Sequence, residues 1–421
     1  FEGVLSVLPG HFLTVDCPTG AFRLERYWHP PVRETLKMSP GVAQDRFREL
    51  LTDSVQLRLQ SDVPVGAFLS GGLDSTTICL LAGERVRHYY TAHFPDFPAY
   101  SEIGLARRVS AKLPGRHHEV GITPEGMMRV MRKNICSLEC PPSGGASYLI
   151  HLIAEQAASD VRVMLDGNGG DEILAGYPRY RLMAERACFA FNAGKYSEKI
   201  CRLSSSLRSS RQDIISTFSG SDPAAYFRII QLIGDEEMHL FLRREFVREM
   251  RDLFCDRFLP QSASLQLLPL QKADISSFLV YLLEIQDKTT MAESLENRVP
   301  FLDHRLAEFV LSLPDSLRLG PGGVSKQLLR SSLSAVLPCE LLAAPKMGTP
   351  KPDREWLQSG LIAGMMRETL SDGSHPVYRF LRRPGVLRTL RLHQSGKKNL
   401  SQRLWCFFNL AVFLEEFAPW M

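Results

Sequence analysis

What the chain lacks narrows its class first. No apolar run reaches the roughly 18 residues that cross a bilayer as a helix, and no basic–apolar–small leader pattern opens the sequence. The nine cysteines are odd in number and spread without a framework, so they read as reduced thiols rather than disulfide partners. Cys136 and Cys140 lack a second Cys/His pair and make no zinc site of the finger type. No Lys/Arg block is interleaved with aromatics, and a net charge of +4 is small, which argues against a nucleic-acid partner. The Arg-rich stretches 243–251 and 379–391 mix with Leu and Phe at helical spacing and read as solvated helix faces. Gly-x-x-x-x-Gly-Lys-Ser/Thr is absent too, and with it the lysine of γ-phosphate transfer. A soluble, cytoplasmic protein without membrane or nucleic-acid partner is expected.

What is present is enough for a sizeable core: 421 residues, 44% hydrophobic and 23% charged. Residues 1–32 read as short strands (1–7, 12–15, 22–28) closed by Pro30-Pro31, too small for an independent domain. From Ser39 a helical pattern sets Phe47, Leu50, Leu51 and Val55 on one face. Residues 62–180 alternate strands (64–69, 88–94, 117–120, 161–166) with helices (75–81, 101–112, 147–158), the pattern of a parallel sheet covered on both faces. Residues 181–421 read as mainly helical, with no strand expected, and 194–222 as an exposed helix pair.

The most informative stretch is 63–75. Apolar Val65–Leu69 runs as a buried strand into Ser70-Gly71-Gly72-Leu73-Asp74-Ser75, and an apolar helix follows. A strand ending in a Gly-rich turn that opens a helix aims free backbone N–H groups at one spot, suited to a phosphate. Asp74 puts a carboxylate beside that spot, which is favourable only with a bridging Mg²⁺. The motif resembles the pyrophosphate loop of N-type ATP pyrophosphatases, enzymes that cleave ATP to AMP and pyrophosphate while adenylating an acceptor. A second strand, 163–166, runs into Gly167-Asn168-Gly169-Gly170-Asp171-Glu172. There Asp171 can face Asp74 across the strand ends, and two carboxylates at one polyphosphate are what a Mg²⁺ site needs.

Further motifs carry a family resemblance. Leu8-Pro9-Gly10-His11, Arg26-Tyr27-Trp28, Gly176-Tyr177, Arg179-Tyr180, the signature from Met291 to Asp303 (with Ser294-Leu295-Glu296 and Arg298-Val299-Pro300-Phe301-Leu302-Asp303), Lys326-x-x-Leu329-Arg330 and Pro345-Lys346-x-Gly348 follow in order. The chain resembles the synthetase domain of glutamine-hydrolysing asparagine synthetases over nearly its whole length. The resemblance implies an α/β fold: a parallel sheet of the N-type ATP pyrophosphatase (adenine nucleotide alpha hydrolase-like) kind, with a largely helical C-terminal half. It also implies that 1–32 is the end of an N-terminal glutamine amidotransferase region and 33–421 the synthetase domain. The implied chemistry takes ATP and Mg²⁺, adenylates a small-molecule carboxylate, releases pyrophosphate and lets ammonia displace AMP. Ser70, Gly71, Gly72, Asp74 and Ser75 would then hold pyrophosphate, with Asp74 and Asp171 on the metal. Backbone near Phe68 and His93 would flank adenine, Asp166 and Gly167 would approach the nucleotide, and Lys346 would reach the phosphates. Lys288 and Glu296 match polar positions facing the family's site, or else form a structural pair on one helix face.

Several positions depart from the family pattern. The glutaminase half with its N-terminal cysteine is missing, so free ammonia, or a glutaminase fused upstream or recruited as a separate subunit, is the expected nitrogen source. A homodimer is compatible with the pattern. Asn168 stands where asparagine-forming members carry Glu; an amide can orient ammonia but cannot accept its proton. Ala344 replaces an Arg, Thr349 replaces a Phe, and Glu139-Cys140-Pro141-Pro142 departs from an acidic-acidic-Pro pattern. Three readings follow: asparagine synthesis from aspartate; the same adenylation with another acceptor (a sugar or peptide carboxylate, or a ring closure); and a non-catalytic remnant.

Overall fold

The computed structural model describes residues 3–181, 235–242, 267–343 and 350–418. At the start of the chain, β1 (His11–Val15) and β2 (Phe22–Arg26) pair as an antiparallel hairpin. Asp16 closes its turn by accepting the backbone N–H of Thr19 at 2.9 Å. The strand expected over 1–7 does not form: residues 3–10 are turn and coil. Trp28 ties the segment down through an Nε1–H bond to Glu308 at 2.7 Å.

Five parallel strands build the main sheet. They are β3 (Val65–Phe68), β4 (His88–His93), β5 (Arg116–Gly121), β6 (Val163–Leu165) and β7 (Glu296–Arg298), in the order β5-β4-β3-β6-β7. Four of these match expected strands to within a few residues. The fifth corrects the expectation of no strand beyond residue 180. Glu296-Asn297-Arg298 carries no apolar alternation to betray it. It is an edge strand, held to β6 by Glu296 N–H to Arg162 O and Asp166 N–H to Arg298 O, both 2.9 Å.

Helices cover both faces. α1 (Pro40–Arg58), α2 (Leu73–Ala82) and α3 (Ile103–Ser110) come first, then α4 (Pro124–Leu138), α5 (Ala146–Ala157) and the short α6 (Gly170–Ile173). Further along are α7 (Leu267–Ser276), α8 (Phe278–Met291), α9 (His304–Leu311) and α10 (Gln327–Ser332). A C-terminal group follows: α11 (Asp353–Gln358), α12 (Leu361–Ser371), α13 (Arg383–Gln394) and α14 (Ser401–Phe417). α4 was not among the expected helices; Thr123 caps it and Pro124 opens it. The expected helix pair at 194–222 lies outside the described residues.

Strand alternation sorts the core into two layers. Val65, Ala67, Tyr89, Val163 and Leu165 pack with α1, α2, α9 and α10, including Phe47, Leu51 and Leu329. Tyr90, Val120 and Met164 face the other way, toward α4, α5 and the C-terminal helices, with Trp405 and Phe408. Gly66 in β3 makes the sheet close-packed there, since a Cβ would lie 2.9 Å from Met164 Sδ and 3.2 Å from His88 O. The chain runs outward from β3 through β4 to β5, then returns to β3's other side for β6. The carboxyl ends of β3 and β6 are therefore the topological switch point, where open α/β sheets take their ligands.

Candidate active site

Both Gly-rich loops leave the sheet at that switch point. After β3, Gly71 adopts φ +83°, and a Cβ there would press within 3.1 Å of Ala106 N at the start of α3, so the turn requires glycine. Serine hydroxyls brace the loop: Ser70 Oγ and Ser75 Oγ lie 2.8 Å apart, and Gly72 N–H donates to Ser70 Oγ at 3.2 Å. Gly72 caps α2 without any side-chain bond. The helix begins two residues earlier than expected, so Asp74 sits in its first turn. The α2 N-terminus thus presents its positive end to the cleft beside a carboxylate.

The loop after β6 meets it. Gly167 and Gly170 let the two loops touch: a Cβ on Gly167 would lie 3.0 Å from Asp74 Cβ, and one on Gly170 2.9 Å from Asp74 Oδ1. Asp171 then comes to share one cation with Asp74. That cation is Lys326, whose Nζ pairs with Asp74 Oδ2 and lies 2.6 Å from Asp171 Oδ1. Lys326 is buried and adopts φ +56°, held by its own N–H to Leu174 O at 3.1 Å. Gly176 leaves room for the cluster, since a Cβ there would overlap Asp171 Oδ1 and Lys326 Cε. Asp74 Oδ1 remains buried without a hydrogen-bond partner.

A cavity of about 630 Å³ opens over this cluster. Its floor includes Phe68, Ser70, Gly71, Gly72, Asp74 and Ser75 from the first loop, and Asp166, Gly167, Asn168 and Asp171 from the second. Asn168 donates its Nδ2–H to Asp166 Oδ2 at 2.7 Å, so its amide is oriented by the strand end. The packed surroundings push the Asp166 carboxyl up to about 6. On the far wall, Tyr281 accepts the Ser143 N–H at 2.8 Å and donates to Ser143 Oγ at 2.9 Å.

Three expected site residues are not brought to the cavity. His93 ends β4 and does not line it. Lys288 is on α8, bonded to Leu138 O at 3.2 Å and to Glu139 at 3.1 Å. Glu296 is on β7, exposed and paired with Arg298 at 2.7 Å. Lys288 and Glu296 therefore share no helix face. Lys346, with Ala344 and Thr349, lies outside the described residues.

Other lining residues carried no role in the sequence reading. Lys326 was visible only as part of a motif; its burial next to two carboxylates has no periodic signature. Glu172 is buried, accepts the Tyr177 hydroxyl at 2.6 Å, and is pushed up to about 7 by burial and then by Asp171. Outside the lining, Arg179 stacks over the Tyr177 ring at 3.9 Å and pairs with Asp274. Arg330 braces the cleft edge through Ser325 O at 2.9 Å and Leu342 O at 2.7 Å.

The donor set fits Mg²⁺. Two carboxylates from separate loops converge, both are hard oxygen ligands, and Asp74 Oδ1 has no other partner. Among the described residues these two carboxylates pair with the Lys326 ammonium, and a divalent cation would add the positive charge that a polyphosphate needs there. Comparison with known proteins agrees with this architecture. The asparagine synthase family profile matches residues 46–416. Asparagine synthetase (glutamine-hydrolyzing) 1 of Bacillus subtilis is 27% identical over 410 residues, covering 96% of this chain and 63% of its own length. A putative asparagine synthetase (glutamine-hydrolyzing) of Mycobacterium bovis is 29% identical over 88% of this chain and 58% of its own length. Amidase chyE of Penicillium rubens is 24% identical over 85% of this chain and 60% of its length. The chain spans about three-fifths of these curated relatives. The matched span contains the five-stranded sheet, both Gly-rich loops and Lys326, and the chain belongs to the asparagine synthase family.

Proposed function

We propose that this chain forms amides at the expense of ATP, activating a carboxylate as its acyl-adenylate and passing the acyl group to ammonia. The observation that carries this reading is the convergence of Asp74, Asp171 and Lys326 beneath the uncapped N-terminus of α2. The backbone N–H groups of 70–75 that the serine hydroxyls leave open, together with the α2 N-terminus, bind the β- and γ-phosphates. Asp74 and Asp171 would hold Mg²⁺, which when bound neutralises phosphate oxygens and eases departure of pyrophosphate. Lys326 supplies a fixed positive charge next to the same phosphates. A carboxylate oxygen of the substrate attacks the α-phosphorus, the Pα–O–Pβ bond breaks and pyrophosphate leaves. Ammonia then adds to the acyl carbon, AMP departs and one proton is released. Lys346 is the expected further cation. The ammonia comes free in solution or from a glutaminase, fused or recruited.

Aspartate, giving asparagine, is the first substrate to test. A second reading, a larger acceptor, has its own support. A polar annex of about 420 Å³ adjoins the cleft and shares Gly144, Lys351 and Gln402 with it. Arg354, Asn399 and Ser401 also line the annex, so it suits the distal polar part of a sugar acid or peptide. Asn168, which cannot take a proton from ammonia, points the same way. Purified protein incubated with ATP, Mg²⁺, ammonium and aspartate should release AMP, pyrophosphate and asparagine in equal amounts. Pyrophosphate release only with a larger carboxylate selects the annex reading. No pyrophosphate with any carboxylate overturns the adenylation.

A further inference from the structure

At the amino ends of the strands, opposite the cleft, lies another cluster of metal-ligating side chains. His88 is the first residue of β4, and His118 the third of β5, level with Tyr90. Asp160 comes from the turn between α5 and β6. The two imidazoles meet edge to edge: Nδ1 of His88 is 3.0 Å from Nε2 of His118, the ring planes are 21° apart and the centroids 5.2 Å apart. Asp160 Oδ2 lies 3.9 Å from His88 Nδ1 and 3.9 Å from His118 Nδ1. One ligand atom from each of the three residues falls within 4.8 Å of the others. Among the described residues this is the sole such group of three.

We propose that His88, His118 and Asp160 form a second divalent-cation site, suited to a borderline ion such as Zn²⁺, distinct from the Mg²⁺ expected in the cleft. Two imidazole nitrogens and one carboxylate oxygen are the ligand types that Zn²⁺ takes in three-residue sites with a fourth position left to water. The supporting contacts resemble those that hold metal ligands in place. Tyr90 donates its hydroxyl to Asp160 Oδ2 at 2.9 Å, and its ring stacks on His118 at 4.5 Å. His118 is buried, which holds its ring fixed against Tyr90. Zn–N bonds of about 2.0–2.1 Å in tetrahedral geometry need the two nitrogens about 3.3 Å apart, slightly more than the present spacing. His88 and Asp160, with side chains 27% and 29% exposed, have the freedom to make that adjustment while His118 stays on Tyr90. Arg116, opposite His88, is the nearby opposing charge, but it is exposed and its repulsion is screened. A bound ion would pin the starts of β4 and β5 to the α5–β6 turn.

The alternative occupant of the gap is a single proton shared between the rings, and titration with Zn²⁺ separates the two. The metal-stripped full chain, kept in Mg²⁺ with ATP so that Asp74 and Asp171 are engaged, is titrated with Zn²⁺ in a calorimeter. One Zn²⁺ per chain at micromolar concentrations is expected. His88→Ala and Asp160→Asn should each weaken it by at least roughly tenfold. Both positions are partly exposed and far from the cleft, so pyrophosphate release by these variants should stay at the wild-type rate and report an intact fold. Absence of Zn²⁺ binding by the wild-type chain, or affinity unchanged by both substitutions, overturns the site.

Discussion

Lys326 stands in a position of conflict: one ammonium serves two carboxylates that are also the natural ligands of a cation. Its side chain is 2% exposed and those of Asp74 and Asp171 13%, so little water offsets the loss of any one of them. Truncation by Lys326→Ala leaves two facing carboxylates, and removing one partner of a buried pair costs about 3–5 kcal/mol. Urea unfolding should show a loss near the lower end of that range, because the carboxylates keep some solvent. Mg²⁺ should restore much of it in the variant and stabilise the wild-type chain less, because Lys326 already offsets part of the carboxylates' charge there. A variant indifferent to Mg²⁺ would mean that the two carboxylates do not converge on a cation site. The same scale gives Glu296 a different expectation from the one its motif suggested. It is exposed and faces Arg298 on an edge strand, so Glu296→Gln should keep pyrophosphate release within about twofold, as surface changes usually do. A fall of two orders of magnitude would return it to the site. Ser70, Gly71, Asp74 and Asp171 were legible in the sequence because glycines and carboxylates in a strand–turn–helix have few other uses. Lys326 was not, because nothing in Gly-Gly-Val-Ser-Lys announces which side chain will be buried.

The elements that carry the family signature turn out to be braces as much as chemistry. Arg298 on β7 donates to Arg58 O at 2.9 Å and Gln60 O at 2.7 Å, tying the edge strand to the end of α1. Ser54 on α1 donates to Pro300 O at 2.6 Å. Asp303 caps α9 through the Arg305 N–H at 3.0 Å and also pairs with Arg305 at 3.0 Å and Arg58 at 3.2 Å. Burial pushes the Asp303 carboxyl up, but the bonds from Arg305 and Arg58 outweigh it and hold it well below the usual range. A depressed carboxylate contributes stability above its unfolded value of 3.8 and loses it as pH falls through the folded one. Asp303→Asn should therefore cost about 2 kcal/mol near neutral pH, and the gap to wild type should shrink at about pH 3. An equal gap at both pH values would remove the charge from the explanation and leave only the cap. At this scale the sheet's first four strands were readable from the alternation of strands and helices, with β3 and β6 also standing out as apolar runs. β7 was not, since a polar three-residue strand is defined by its neighbour β6 rather than by its own composition.

Over the whole molecule, the cleft is shared between the α/β core and the helices that follow it. Its lining draws on loops after β3 and β6, on Tyr281 and Gln286 from α8, on Lys326 and Arg330, and on Gln402 at the start of α14. α14 is itself fixed to the cleft wall: Tyr148 donates to Asn409 Oδ1 at 2.7 Å, and Asn409 donates to Pro142 O at 2.7 Å. A ligand that fills the cleft thus cross-links segments far apart in the chain, and its binding energy should appear as global stability. At a hundred times its Kd, a ligand that binds the folded state adds about 2.7 kcal/mol, so the melting temperature should rise with Mg²⁺ and ATP together. ATP with a chelator should stabilise far less, because the triphosphate then faces Asp74 and Asp171 without a divalent cation between them. Asp74→Asn removes one of those negative charges. It should narrow the difference between the two conditions from both sides, weakening the response to Mg²⁺ with ATP and strengthening the response to ATP with chelator. If Asp74→Asn weakened both responses equally, Asp74 would be holding the loop's shape rather than balancing charge at the phosphates.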